Sequence, residues 1–133
     1  MVSKLRAQRI ADRIFEELSI LLLMEVSDPR IESASITDVS VDRELAFANI
    51  YVSSIEGGEA APTILEGLNH AKGFIRRSLA QRIQLRSFPR LRFYWDPSPE
   101  RADRIDKMLN ALPDLEPSTL SDEDEEEEIH QDG

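Results

Sequence analysis

Residues 113–133 hold ten carboxylates, seven of them consecutive from Asp122 to Glu128, and no Lys or Arg. A segment with so much like charge has almost nothing to bury and is expected to be a disordered acidic tail. The whole formal charge of −10 sits there, because residues 1–112 contain 16 basic and 16 acidic side chains. The fold must therefore come from those 112 residues, enough for one domain around one core. That body is neutral, so the low isoelectric point excludes no polyanionic partner.

Apolar residues at Ile10, Ile14, Leu18, Leu21 and Leu22 have the three-and-four spacing of a helix over residues 5–25, which Asp28-Pro29 closes. Two β-rich runs follow, 35–41 and 45–55, joined by a tight hairpin at Asp42-Arg43-Glu44. In the second run Ala46, Ala48, Ile50 and Val52 are assigned to the core, which turns Phe47, Asn49 and Tyr51 to the opposite face. Pro62 opens a helix with Ile64, Leu65 and Leu68, interrupted at Ala71-Lys72-Gly73. A further helix resumes at Phe74 with Ile75, Leu79 and Ile83 on one stripe. Residues 90–95 alternate as a third strand, and Ser98-Pro99-Glu100 starts a short helix with Ile105, Met108, Leu109 and Leu112 on its apolar face. The pattern predicts a two-layer α+β domain, a three-stranded sheet with helices on one face. Its divisions are 1–97 for the domain, 98–112 for a short C-terminal helix packed on or extending it, and 113–133 for the tail.

Between Lys72 and Arg92 the chain places seven cations, Lys72, Arg76, Arg77, Arg82, Arg86, Arg90 and Arg92, and no acid. A charged helix is usually just a solvated face, but a solvated face mixes signs. On a helical wheel Arg77 lies opposite the apolar stripe while Arg76 and Arg82 flank it on different sides. Thirteen of the 16 cations are arginine, the side chain that grips phosphate in a bidentate fork and stacks on bases. Segregation of this kind is the footprint of nucleic-acid binding, and RNA is the expected partner. Gly73 beside Lys72 would let backbone approach a phosphate. Aromatics interleaved with arginine on the outer sheet face, Phe47, Tyr51, Tyr94, Arg90 and Arg92, offer platforms for unpaired bases, or else form an ordinary half-exposed sheet face. Lys4, Arg6, Arg9 and Arg13 extend the positive surface only weakly, with acids among them.

Other chemistries find little support. The chain has no cysteine, so disulfides and thiolate metal sites are excluded and a reducing cytoplasm is the expected compartment. The longest apolar run, Ile20 to Met24, is too short to cross a bilayer. His70 and His130 are the only histidines; His130 lies in the expected tail, and His70, with no paired carboxylate at a useful spacing, reads as a helix-surface or packed histidine. No nucleophile elbow, phosphate-binding loop or calcium loop is present, so no catalytic residue, metal or cofactor is expected.

These segments resemble the ribosome-binding factor A family, a bacterial-type KH module. The likeness rests on Arg9-Ile10-Ala11, Asp28-Pro29-Arg30, the run from Ala46 to Val52, Lys72-Gly73-Phe74-Ile75-Arg76, Leu85-Arg86, and Pro89-Arg90-Leu91-Arg92-Phe93. The usual Gly-x-x-Gly loop of KH modules is absent, and Ala71-Lys72-Gly73 resembles the shorter helix kink of this family. The resemblance implies a type II KH-like fold, helix, strand, strand, helix, kink, helix, strand. It implies a non-enzymatic, cytoplasmic assembly factor, a monomer that binds free small ribosomal subunits and their rRNA. Such a factor assists late maturation and 5′-end processing and is associated with growth in the cold. The RNA-facing set would be Lys72, Gly73, Arg76, Arg77, Arg82, Arg86, Arg90 and Arg92. Two rivals remain: an adaptor that works through its acidic tail, with ribosomal proteins among its partners, and an RNA-modifying or nucleolytic enzyme built on the same fold.

Overall fold

The computed structural model describes residues 1–111, so the expected tail and Leu112 lie outside the described residues. These residues form two compact units, Met1–Glu100 and a second that begins at Arg101.

In the first unit α1 (Lys4–Met24) begins where Ser3 Oγ accepts the Arg6 N–H at 3.0 Å, satisfying one of the free donors of the first turn. Its stripe of Ala7, Ile10, Ala11, Ile14, Leu18 and Leu21 is buried, and each large side chain of that stripe contributes about 1.5–3 kcal/mol. The Asp28 carboxylate accepts the Arg30 N–H at 2.9 Å and opens a single 3-10 turn, Pro29–Ile31. The Arg30 guanidinium also binds Asp28 and reaches Glu66, and the side-chain and then backbone hydrogen bonds from Arg30 to Asp28 hold that carboxyl below its ordinary value.

β1 (Ala34–Val41) and β2 (Phe47–Ser54) pair antiparallel. Their loop covers residues 42–46, longer than the expected three-residue turn. Asp42 Oδ1 accepts the Phe47 N–H at 2.8 Å, and Leu45 takes a positive φ of 57° with its half-buried side chain packed against the core. Backbone hydrogen bonds from Phe47 above all hold the Asp42 carboxyl below its usual value. After α2 (Ala61–Arg82), β3 (Arg90–Trp95) pairs parallel to β2, giving the order β1-β2-β3. Trp95 Nε1 donates to Glu100 Oε1 at 2.8 Å, which ties Glu100 to the end of β3. α3 spans Ser98–Asn110, with Ile105, Met108 and Leu109 exposed.

One face of the sheet carries Val39, Ala48, Ile50, Val52, Leu91 and Phe93 into a core completed by the apolar stripes of α1 and α2. The other carries Phe47, Asn49, Tyr51, Arg90, Arg92 and Tyr94, as the alternation predicts. Ala46, expected on the core face, stands before the strand and is exposed.

The two helices expected on either side of Ala71-Lys72-Gly73 are a single helix of 22 residues. A glycine inside a helix costs about 1 kcal/mol relative to alanine. Burying Ile75 and Leu79 beyond it contributes more, about 1.5–3 kcal/mol each, so the helix continues through the glycine. The glycine that packing does require is Gly67. A Cβ there would lie 2.7 Å from Ile31 Cγ2 and 3.0 Å from Arg30 Cβ, because α2 presses directly on the 3-10 turn. Gly67→Ala is therefore expected to destabilise the domain by about 1–3 kcal/mol through overpacking, read as a lower urea midpoint at unchanged slope.

Candidate nucleic-acid interface

The parallel register pairs Phe47 with Arg90 and Asn49 with Arg92, bringing the starts of two strands side by side. The middle of α2 lies against them. Together they form a cleft of about 580 Å³ lined by Phe47, Lys72, Gly73, Arg76, Arg90, Leu91 and Arg92, four cations and no acid. Gly73 is exposed at its wall, and a Cβ there would meet only Arg77 Nη1, at 3.4 Å. Backbone is thus accessible beside Lys72, with the Arg77 guanidinium next to it. Opposite-sign charge in such a concavity is held by several donors at once, which suits phosphate oxygens.

The cations of residues 72–92 fall into two groups. The side chains of Lys72, Arg77, Arg86 and Arg90 make no hydrogen bond or ion pair among the described residues. Arg76 lines the cleft but donates through Nε to the Pro89 carbonyl at 3.2 Å and through Nη2 to the Phe88 carbonyl at 2.6 Å. It thereby clamps the segment before β3 onto α2. Arg82 is not in the cleft. Its guanidinium reaches Glu17 at 3.3 Å and Glu25 at 2.6 Å on the far side of α2, joining that helix to α1. Arg13, expected to extend the positive surface, donates to the Arg82 carbonyl at 3.3 Å and pairs with Glu17. A cation at the C-terminal end of α2 complements the helix dipole.

Arg92 is held in a third way. Its guanidinium lies 3.8 Å over the Phe47 ring centroid, and Nε donates to Asn49 Oδ1 at 2.9 Å. Beside it Tyr51 and Tyr94 stack with centroids 5.5 Å apart and planes 28° apart. The sequence reading placed these aromatics on one face, but missed Asn49 as the group that orients Arg92 and Phe47 as part of the cleft. The strand alternation carried the first signal; the register that makes the second is a pairing across 43 residues. His70 is exposed on α2. Among the described residues no cluster of His, Asp and Glu could hold a metal ion.

A two-layer α+β domain of KH-like type, with an acid-free cationic cleft where two parallel strands begin, belongs to the class of RNA-binding modules. The family model for ribosome-binding factor A matches residues 6–109, and the chain belongs to the ribosome-binding factor A family. It is 43% identical over 106 residues to ribosome-binding factor A of Alcanivorax borkumensis, covering 79% of this chain and 77% of that one. Identity with the Azoarcus protein of the same name is 37% over 105 residues, 79% of this chain and 83% of that one. The crystal structure of ribosome-binding factor A from Thermus thermophilus shares the fold with a TM-score of 0.60, at 21% identity over 67% of this chain and 93% of that chain. A solution structure of a Thermotoga maritima protein described as a ribosome binding factor A gives a TM-score of 0.51 at 26% identity, over 68% and 82% of the two chains.

The division of the cations has a direct test in stability. Arg76→Ala is expected to cost about 1.5–3 kcal/mol, the range for hydrogen bonds to a charged group. Arg82→Ala is expected to cost about 1 kcal/mol, since its pairs are partly exposed. Arg77→Ala and Arg86→Ala should stay within about 0.5 kcal/mol of the parent. Urea denaturation of the four variants reads the contrast.

Proposed function

We propose that this protein is a non-catalytic assembly factor that binds free small ribosomal subunits in the cytoplasm. It contacts their rRNA through the cleft and assists late maturation, including processing of the rRNA 5′ end. The acid-free cleft carries this reading, supported by membership of a family whose members are named for ribosome binding. Lys72, Arg77, Arg86, Arg90 and Arg92 supply the charge that meets phosphates, and Gly73 allows close backbone approach. Arg76 shapes the cleft wall while its guanidinium holds the Phe88 and Pro89 carbonyls. Arg82 works within the fold, not at the RNA. No step in this role needs a nucleophile, a general base or a cofactor: phosphate contacts position the protein, and the shape of the rRNA provides the selectivity. No helix among the described residues is long and apolar enough to cross a membrane.

Sedimentation of the purified protein with small subunits, large subunits and joined ribosomes tests the proposal. Co-migration with free small subunits alone is expected, weakening with salt. A plot of log affinity against log salt should fall with a slope of about −3.5, as for about five phosphates of single-stranded character. Combining Arg77→Glu with Arg90→Glu should abolish co-migration at an unchanged unfolding midpoint, and removal of residues 118–133 should preserve it. A flat salt response, or loss of binding with the tail alone, would contradict the proposal.

A further inference from the structure

The cleft accounts for one face of Arg92, and leaves unexplained why this side chain is fixed so firmly on an exposed surface. Its guanidinium is sandwiched from below by the Phe47 ring at 3.8 Å, and its rotation about that stack is set by the in-plane hydrogen bond from Nε to Asn49 Oδ1 at 2.9 Å. The side chain is exposed, so the outward plane of the guanidinium faces solvent. A phosphate contact needs none of this, because a mobile Arg or Lys at the rim would serve. A flat cation held parallel to the sheet is instead what a planar π-system stacks on. The freedom that a long side chain normally loses on binding has here been given up in advance.

The neighbouring rung repeats the motif. Tyr51 and Tyr94 are register partners, stacked at 5.5 Å, and Tyr94 is 39% exposed although it is aromatic. Neither α1 nor α2 covers this face, since both pack on the other side of the sheet. Along β3, Arg92 and Tyr94 are separated by about 6.6 Å at the usual strand rise. That is about twice the 3.4 Å spacing of stacked bases in a duplex strand, so successive platforms suit bases splayed apart, as in an unpaired strand. Charge sets the direction in which such a strand lies. Asp38 of β1 stands opposite Tyr51, whereas Arg90 and the cleft cations stand on the β3 side. Phosphates therefore track the cleft and bases turn inward over the sheet.

We infer that the outer face of the sheet is a base-stacking site for an unpaired RNA segment, in which Arg92 on Phe47 takes one base and the Tyr51–Tyr94 pair takes the next. The inference rests on the RNA-binding reading above and extends it from phosphates to bases. It makes the specificity of the protein one for strandedness, with little preference among base identities, because every base has a π-face.

The test uses the full-length protein and two labelled RNA 8-mers, oligo(A) and the same ribose-phosphate backbone without bases, read by fluorescence anisotropy. Both carry the same phosphates. The parent protein is expected to bind oligo(A) at least about 30-fold more tightly than the abasic strand, the lower end of the range for two stacked bases. Arg92→Lys keeps the charge and loses the plane, so it should remove most of that preference, weakening oligo(A) far more than the abasic strand. Tyr94→Ala, at an exposed position, should reduce the preference independently. Equal affinity of the parent for the two strands overturns the inference, as does a preference that survives both substitutions. Binding of neither strand overturns it as well, and co-sedimentation with small subunits then shows separately whether the assembly-factor reading stands.

Discussion

Because β2 and β3 run parallel, the chain has to cross the sheet between them, and α2 is that crossing. The crossing does two things at once. Its buried stripe of Ile64, Leu68, Ile75 and Leu79 closes the core over Ala48, Ile50 and Val52. It also carries Lys72 and Gly73 to the place where β2 and β3 both begin, so that Phe47, Arg90 and Arg92 meet them in one cleft. An antiparallel third strand could have followed a short turn and would have left neither the helix nor the cleft. The site is in this sense a consequence of strand direction.

Given that placement, the helix has to be held at both ends. At its N-terminal half Gly67 admits Ile31 and Arg30 to near contact, and Arg30 is fixed by Asp28 and Glu66. At its C-terminal half Arg82 pairs with Glu17 and Glu25 while Arg13 meets the last carbonyl. Arg76 then secures the returning segment through the Phe88 and Pro89 carbonyls. Four arginines, Arg13, Arg30, Arg76 and Arg82, thus build the scaffold that presents the free cations. Charge segregation marks the region correctly, and yet a good part of the segregated charge is consumed in making it rigid.

The sequence pattern disclosed the order of elements, the two faces of the sheet and the region of the cleft, because each follows from local periodicity. Strand alternation alone separates Phe47, Asn49 and Tyr51 from Ala48, Ile50 and Val52. What it could not disclose depends on partners distant in the chain. Nothing near Arg82 in sequence announces Glu17 and Glu25, although its place on the flank of the apolar stripe was a hint that it meets α1. The Arg92–Asn49 bond needs the strand register. Gly73 drew notice as a helix breaker when flanking burial outweighs its cost, whereas nothing near Gly67 in sequence announces that a Cβ there would collide with Ile31 and Arg30. The longer hairpin loop reflects Asp42 and Leu45, whose side chain and backbone substitute for a tight turn.

The absence of cysteine makes one measurement especially direct. Single cysteines introduced as Gly73→Cys, where a Cβ fits, and as Leu23→Cys, at a position 83% exposed beside Ser35 and Ile36 and outside the cationic cleft, can each carry a photocrosslinker. Both variants are bound to small subunits and irradiated. The cleft account predicts that the probe at residue 73 crosslinks to rRNA and that the probe at residue 23 does not. Crosslinks to rRNA from residue 23 with none from residue 73 would contradict it, and would move the ribosome-facing surface away from the cleft.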